Sequence, residues 1–228
     1  MAAGKKSTAQ TNSARIVDEL RRDIVARRIG AGERITVAEL ARRFETSGAP
    51  VREAFQQLAG EGYVTIHPHR GAVARVFDLT ELRQVFAVRE ALESHQARRF
   101  ARVADAERLD RLRDLAVRFE AVAAEGLDRE THRLNSAFHE LINNHDNNAE
   151  LMLILRRHAG VARMMRHDFG HSDLRIRAAA TEHFELIEAL TARDADAAAA
   201  VAARHVSGTL ADIIECYLTS DRQAEAGR

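Results

Sequence analysis

Apolar residues recur along this chain at helical spacing. Ile16, Leu20 and Ile24 stand four apart, which aligns them on one face of a helix. Gly30 and Gly32 end that segment. Thr36-Val-Ala-Glu39 has the form of a capping box, a hydroxyl followed three residues later by a carboxylate. It opens a short helix with Val37, Leu40, Ala41 and Phe44 at i, i+3, i+4 and i+7. Beyond a turn at Ser47-Gly48 the same spacing returns in Val51, Ala54, Phe55 and Leu58, closed by Gly60 and Gly62. Ser47 is the expected cap, since Ala49 caps poorly and Pro50 is tolerated in a first turn. The pattern then changes to two β-leaning runs, Tyr63–Ile66 and Ala72–Val76, around His67-Pro-His-Arg-Gly71. Three short helices and a hairpin in that order predict a winged helix-turn-helix, whose second paired helix can enter a major groove.

From Thr80 onward the pattern predicts six amphipathic helices, roughly 80–103, 105–125, 128–145, 148–168, 173–193 and 194–219. Gly126, Asn147-Asn148, Gly170 and Asp194 punctuate them. Both prolines, Pro50 and Pro68, lie earlier, so no proline interrupts this half. The alanine-rich run Ala195–Ala203 is broken by Arg204 and His205 and reads as a good helix. The expected fold is mainly α: a winged helix-turn-helix followed by an antiparallel all-helical bundle. The expected layout is a basic tail over 1–13, the head over 14–76, the bundle over 77–220 and a tail over 221–228. A joint falls near Val76–Thr80.

Composition adds compartment and charge. The 228 residues are 46% hydrophobic and 30% charged, the proportions of a globular protein. Lys+Arg and Asp+Glu number 34 each, and the zero sum argues against a nucleic-acid partner only if the charges are evenly spread. They are not: residues 1–76 carry 13 basic against 8 acidic residues, and residues 77–228 carry 21 against 26. A single cysteine, Cys216, excludes an internal disulfide framework and fits a reducing cytoplasm. No run approaches the roughly 18 apolar residues of a membrane span. Lys5 and Lys6 precede no apolar run, so the start does not read as a secretory signal.

Two sets of residues carry candidate chemistry. With Val51, Ala54, Phe55 and Leu58 turned inward, Arg52 and Gln56 face water four residues apart. Arginine can read guanine in bidentate fashion and glutamine can pair with adenine. Arg42, Arg43 and Arg70 can hold phosphates. A solvated pair of helices with ordinary surface arginines has the same pattern. In the bundle, Asn135 and His139 share a helix face; His183 shares one with Ile187 and Leu190, and His205 with Val201 and Thr209. Imidazole suits zinc, nickel, copper or iron. Hydrogen-bonded core histidines would look alike in a chain with 11 of them.

Ser47-Gly-Ala-Pro-Val-Arg-Glu-Ala-Phe55, Leu58, Glu61-Gly-Tyr-Val64 and His69-Arg-Gly-Ala-Val73 resemble the GntR family of bacterial transcription regulators. The resemblance implies that Arg52 approaches the operator, and the pattern and the matched motifs together give a DNA-facing set of Arg42, Arg43, Ser47, Arg52, Gln56, His69, Arg70 and Gly71. Gly48 stands where the family has a first arginine, and Ala49 where it has threonine. The second half is similar to the FCD ligand-binding domain of the FadR-like subfamily, through Val85–Glu93, Asn135-Ser-Ala-Phe-His139, Asn148-Ala-Glu-Leu151, Glu182-His183 and His205. This resemblance implies a divalent metal, zinc first and nickel or manganese as alternatives, on Asn135, His139, His183 and His205. Asn135 replaces the family's aspartate and removes an anionic ligand. It further implies a small carboxylate effector held by Arg89, with Arg163 and Arg166 as other candidates.

The expected function is a homodimeric, cytoplasmic transcriptional repressor, binding operator DNA and released by its effector. Two readings from other classes stand beside it. One is a metal-dependent hydrolase with Glu140 or Glu182 as base. The other is an architectural DNA-binding protein whose helical half only dimerises.

Overall fold

A computed structural model describes residues 12–226 apart from Arg27, His69, Val76, Phe77, Leu127 and Gly170. The expected basic tail lies outside the described residues up to Thr11, and Asn12 and Ser13 already belong to the first helix. The centre of the expected joint, Val76 and Phe77, and the candidate His69 also lie outside them. The chain divides into two compact units: residues 1–76 with Ala159–Asp168, and the remainder.

The first unit runs α1 (Asn12–Val25), β1 (Arg34–Ile35), α2 (Val37–Arg43), α3 (Gly48–Gly60), β2 (Val64–His67) and β3 (Gly71–Ala74). Ile16, Leu20 and Ile24 of α1 are buried with Leu40, Phe44, Val51, Phe55 and Leu58, as their spacing predicts. The capping box forms in full: Thr36 Oγ1 accepts from the Glu39 amide at 3.2 Å, and Glu39 Oε2 accepts from the Thr36 amide at 3.0 Å. Ser47 occupies the N-cap position of α3 with extended backbone, but its hydroxyl makes no capping bond. The expected cap is therefore one of backbone conformation only.

The hairpin is present, and a third strand joins it. The sheet order is β1-β3-β2, all antiparallel, with Ile35 opposite Ala72 and Thr65 opposite Val73. Two residues are too few for alternation to reveal β1. Gly71 is fixed by this junction: its φ is +89°, and a Cβ there would lie 2.2 Å from the Ile35 carbonyl oxygen. Ion pairs fasten α1 to its neighbours. Arg21 bonds Glu61 through Nε and Nη2 at 2.8–2.9 Å. Buried Asp23 takes Arg28 and Arg43, each at 2.7 Å.

The second unit is helical: α4 (Leu79–Val103), α5 (Ala106–Ala124), α6 (Asp128–Asn143), the ends of α7 (Ala149–Phe169), α8 (Asp173–Thr191) and α9 (Ala195–Ala226). Residues 221–226 continue α9 rather than forming a separate tail. Side chains cap the starts of α4, α5, α8 and α9. Asp78, Asp105, Ser172 and Asp194 accept from Glu81, Arg108, Arg175 and Ala197 amides at 2.7–3.1 Å. Asn147 and Arg193 take the left-handed conformation at two of the predicted breaks, with φ of 53° and 56°. The core joins Ala97, Phe100 and Ala101 of α4 to Leu112 and Ala116 of α5, Phe138 and Ile142 of α6, Leu186 and Leu190 of α8, and Ala198 and Ala202 of α9. Gln96, 1% exposed, donates to the Asn143 carbonyl at 2.8 Å and so satisfies an end-of-helix acceptor of α6.

Gly71→Ala is expected to lower unfolding free energy by at least about 2 kcal/mol in urea titrations, because the new Cβ meets backbone at positive φ. Gly60→Ala, which meets nothing within 4 Å, is the near-neutral control. Asp23 gives a pH signature. Burial raises its pKa, but bonds from Arg43 and Arg28 outweigh that and hold it below the ordinary value of 3.8. Its stabilisation is therefore present above that value and lost as pH falls through the lowered pKa. Asp23→Asn should cost about 1–3 kcal/mol at neutral pH and flatten the acid limb of the stability curve.

Candidate functional site

In the first unit, burial of Val51, Ala54, Phe55 and Leu58 leaves Arg52 and Gln56 exposed on the opposite face of α3. Arg52 folds back over the start of its own helix. A Cβ on Gly48 would lie 2.9 Å from Arg52 Nη1 and 3.0 Å from Val37 Cγ1. The missing side chain at Gly48 thus makes the slot in which the guanidinium lies. Arg42, Ser47 and Arg70 are exposed. Arg43 differs from the expected free phosphate ligand: its Nη2 is held by Glu19 at 2.5 Å and Asp23 at 2.7 Å. Gly71 has its explanation in the strand junction. Arg34 was not singled out by sequence; its Nε donates to the Arg70 carbonyl at 2.7 Å and steadies the hairpin turn.

In the second unit, three histidines from three helices converge. His139 of α6, His183 of α8 and His205 of α9 each offer a ring nitrogen within 4.8 Å of the others. His139 Nε2 and His205 Nε2 are 3.0 Å apart. His183 is 1% exposed, stacks on Phe138 at 4.2 Å between ring centroids, and meets the Phe119 ring edge-on at 4.8 Å. Neither of its ring nitrogens has a hydrogen-bond partner. Burial pushes its pKa down to about 3, with Glu182 opposing and Arg175 adding to the shift. A neutral imidazole with two unsatisfied nitrogens in an apolar setting costs about 1–3 kcal/mol per group unless a ligand takes a lone pair.

A layer of charge surrounds the rings. Glu182 Oε2 accepts from His205 Nδ1 at 2.7 Å, which leaves the His205 Nε2 lone pair facing His139. Arg175 grips Glu182 with both terminal nitrogens, Nη1 at 3.0 Å and Nη2 closer. The guanidinium rests on Gly208, where a Cβ would come within 3.0 Å of Nη1. On the other side, Arg89 bonds Glu93 Oε1 at 2.9 Å, and Glu93 Oε2 lies 3.8 Å from His139 Nδ1. Arg89 Nη1 is buried without a partner, and its guanidinium carbon sits 4.8 Å above the Phe86 ring. Asn135 is half-buried one turn before His139 on α6.

Arg163 does not join this group. It is exposed and falls in the Ala159–Asp168 segment of the first unit, together with Arg166. There Arg163 opposes the burial that raises the Tyr63 pKa. Conversely, the part played by Arg175 was not anticipated. Its seven-residue spacing from Glu182, two helical turns, was the available signal, as was the four-residue spacing of Arg89 and Glu93.

Comparison with known proteins decides the family. The model of the bacterial regulatory proteins of the gntR family matches residues 12–73, and the FCD domain model matches residues 84–208. The chain belongs to the GntR family. Its FCD half places it with the FadR-like regulators. The GntR chain is 30% identical over 192 residues, 82% of each sequence, to the HTH-type transcriptional repressor RspR of Escherichia coli strain K12. It is 28% identical over 212 residues, 92% of each, to the probable D-xylose utilization operon transcriptional repressor of Paenarthrobacter nicotinovorans. Among solved structures, E. coli McbR/YncC superposes with a TM-score of 0.73 at 18% identity, covering 91% of this chain and 99% of that one. The first two relatives are named as transcriptional repressors and the family model is one of bacterial regulatory proteins, so this GntR protein is a DNA-binding regulator and the hydrolase reading is set aside. Among the described residues no helix is long and apolar enough to cross a membrane.

In 15N-histidine-labelled protein free of metal, His183 is expected to stay neutral from pH 8 down to about 4. Glu182→Ala should release His205 from its single Nδ1–H tautomer, read from ring nitrogen shifts. A wild-type His205 already mixed between tautomers would refute the Glu182 contact.

Proposed function

We propose that this regulator is a homodimeric, cytoplasmic repressor whose operator affinity is set by a small carboxylate bound beside a divalent metal in its FCD domain. The observation that carries the metal is His183: fully buried, both ring nitrogens without a partner, and packed against two further imidazoles. The residues suit a first-row divalent ion, zinc first, with nickel or manganese as alternatives. His139, His183 and His205 would hold it, with Asn135 as a candidate oxygen ligand. Bound there, the ion would act as a Lewis acid that attracts a carboxylate.

The chain's own groups complete the device. Glu182, held by Arg175, keeps the proton of His205 on Nδ1 and the opposite lone pair inward. Arg89 keeps one buried donor unspent, which a carboxylate oxygen can take. The effector joins α4, α6, α8 and α9 at one point, and it regulates only if it binds one arrangement of these helices better than another. In the head, two copies of α3 would address two half-sites, Arg52 and Gln56 reading bases while Arg42 and Arg70 hold phosphates. The name of RspR as a repressor supports the sign of regulation.

Arg52→Ala should weaken operator binding by about 1–3 kcal/mol in gel shifts while leaving salt-dependent nonspecific binding. Operator affinity equal to wild type would remove Arg52 from base reading. Elemental analysis of protein purified without chelator should find one metal per chain, lost in the His139→Ala/His183→Ala double variant. A full complement of metal in that variant would exclude these ligands.

A further inference from the structure

The charge around the histidine cluster bears on the class of effector. Two carboxylates approach the rings, and each is already matched by an arginine: Glu93 by Arg89 and Glu182 by Arg175. The three imidazoles bring no net charge when neutral, and the residue one turn before His139 on α6, Asn135, is an uncharged amide. Among the described residues no Asp or Glu joins the three histidines as a possible ligand. The other enclosed acids are engaged elsewhere: Asp146 accepts from Gln96, and Asp212 from Ser172. With the imidazoles neutral, the cluster and its two ion pairs thus carry no net charge before any ion enters.

We propose that this cluster is completed by a dianion, a small dicarboxylate rather than a monocarboxylate. The inference rests on the metal reading above. A divalent ion on neutral ligands brings two positive charges into a site with little water to screen them, and an uncompensated buried charge is strongly disfavoured. A monocarboxylate cancels one charge. A dicarboxylate cancels both, and its second carboxylate has a waiting donor in Arg89 Nη1, which is buried and unpartnered. Asn135 is the residue that sets this requirement. It is half-buried on the His139 face of α6, where an aspartate would restore one negative charge and lower the demand on the ligand by one.

The test uses the full-length protein and two four-carbon acids. Wild type is first loaded with Zn2+ by dialysis and its metal content measured. Calorimetric titration then compares succinate with butyrate. Succinate is expected to bind at least about tenfold tighter. Asn135→Asp should hold Zn2+ at least about tenfold more tightly in chelator competition without any acid present, and should lose most of the preference for succinate. Arg89→Gln should keep its metal and also lose that preference. Wild type that holds zinc but binds the two acids within about twofold overturns the dianion proposal and leaves the metal reading intact. An unchanged succinate preference in loaded Asn135→Asp, with circular dichroism as in wild type, likewise overturns it. Wild type that retains no Zn2+ overturns the metal reading and this inference with it.

Discussion

Three imidazoles packed against one another set the terms for the second domain. Each needs its nitrogens answered, and water is largely excluded at His183 and His205, which are 1% and 5% exposed. The surrounding charge layer follows from that need. Glu182 answers the outer nitrogen of His205, Arg175 answers Glu182, and Gly208 clears the space in which Arg175 lies. Pulling one member away leaves a buried charge or donor exposed to no partner, so the group behaves as a unit. Helices α8 and α9 are pinned to each other at this point by polar contacts as well as by Leu186, Leu190, Ala198 and Ala202.

The head obeys a different constraint. Its helices are short, and α2 spans only Val37–Arg43, so packing alone has little area to work with. The capping box at Thr36 and Glu39 and the ties from α1 through Arg21 and Asp23 supply what the small core lacks. The same arrangement leaves the outer face of α3 free of structural duty, which is what a surface that reads DNA needs.

Much of this was legible along the chain because periodicity reports burial. Ile16, Leu20 and Ile24, the Leu40–Phe44 and Val51–Leu58 faces, and the bundle helices follow from spacing and from Gly, Asn and Asp breaks. The convergence of His139, His183 and His205 was legible through resemblance and through each residue's inner face, but spacing alone favoured hydrogen-bonded core histidines. What stayed hidden depends on partners far apart in sequence. Strand β1 exists because β3 lies beside it, and nothing in Arg34-Ile35 announces that. Arg43 looked like a free cation because Glu19 and Asp23 reach it from another helix. Arg163 shares a helix with residues of the second unit, yet packs in the first.

The capture of Arg43 and Arg21 inside the head has a consequence for how the protein meets a polyanion. Binding to DNA releases condensed counterions in proportion to the cations that actually contact phosphates. Guanidiniums already spent on Glu19, Asp23 and Glu61 contribute little to that release. The dependence of the head's DNA affinity on ionic strength should therefore be shallower than its arginine count implies.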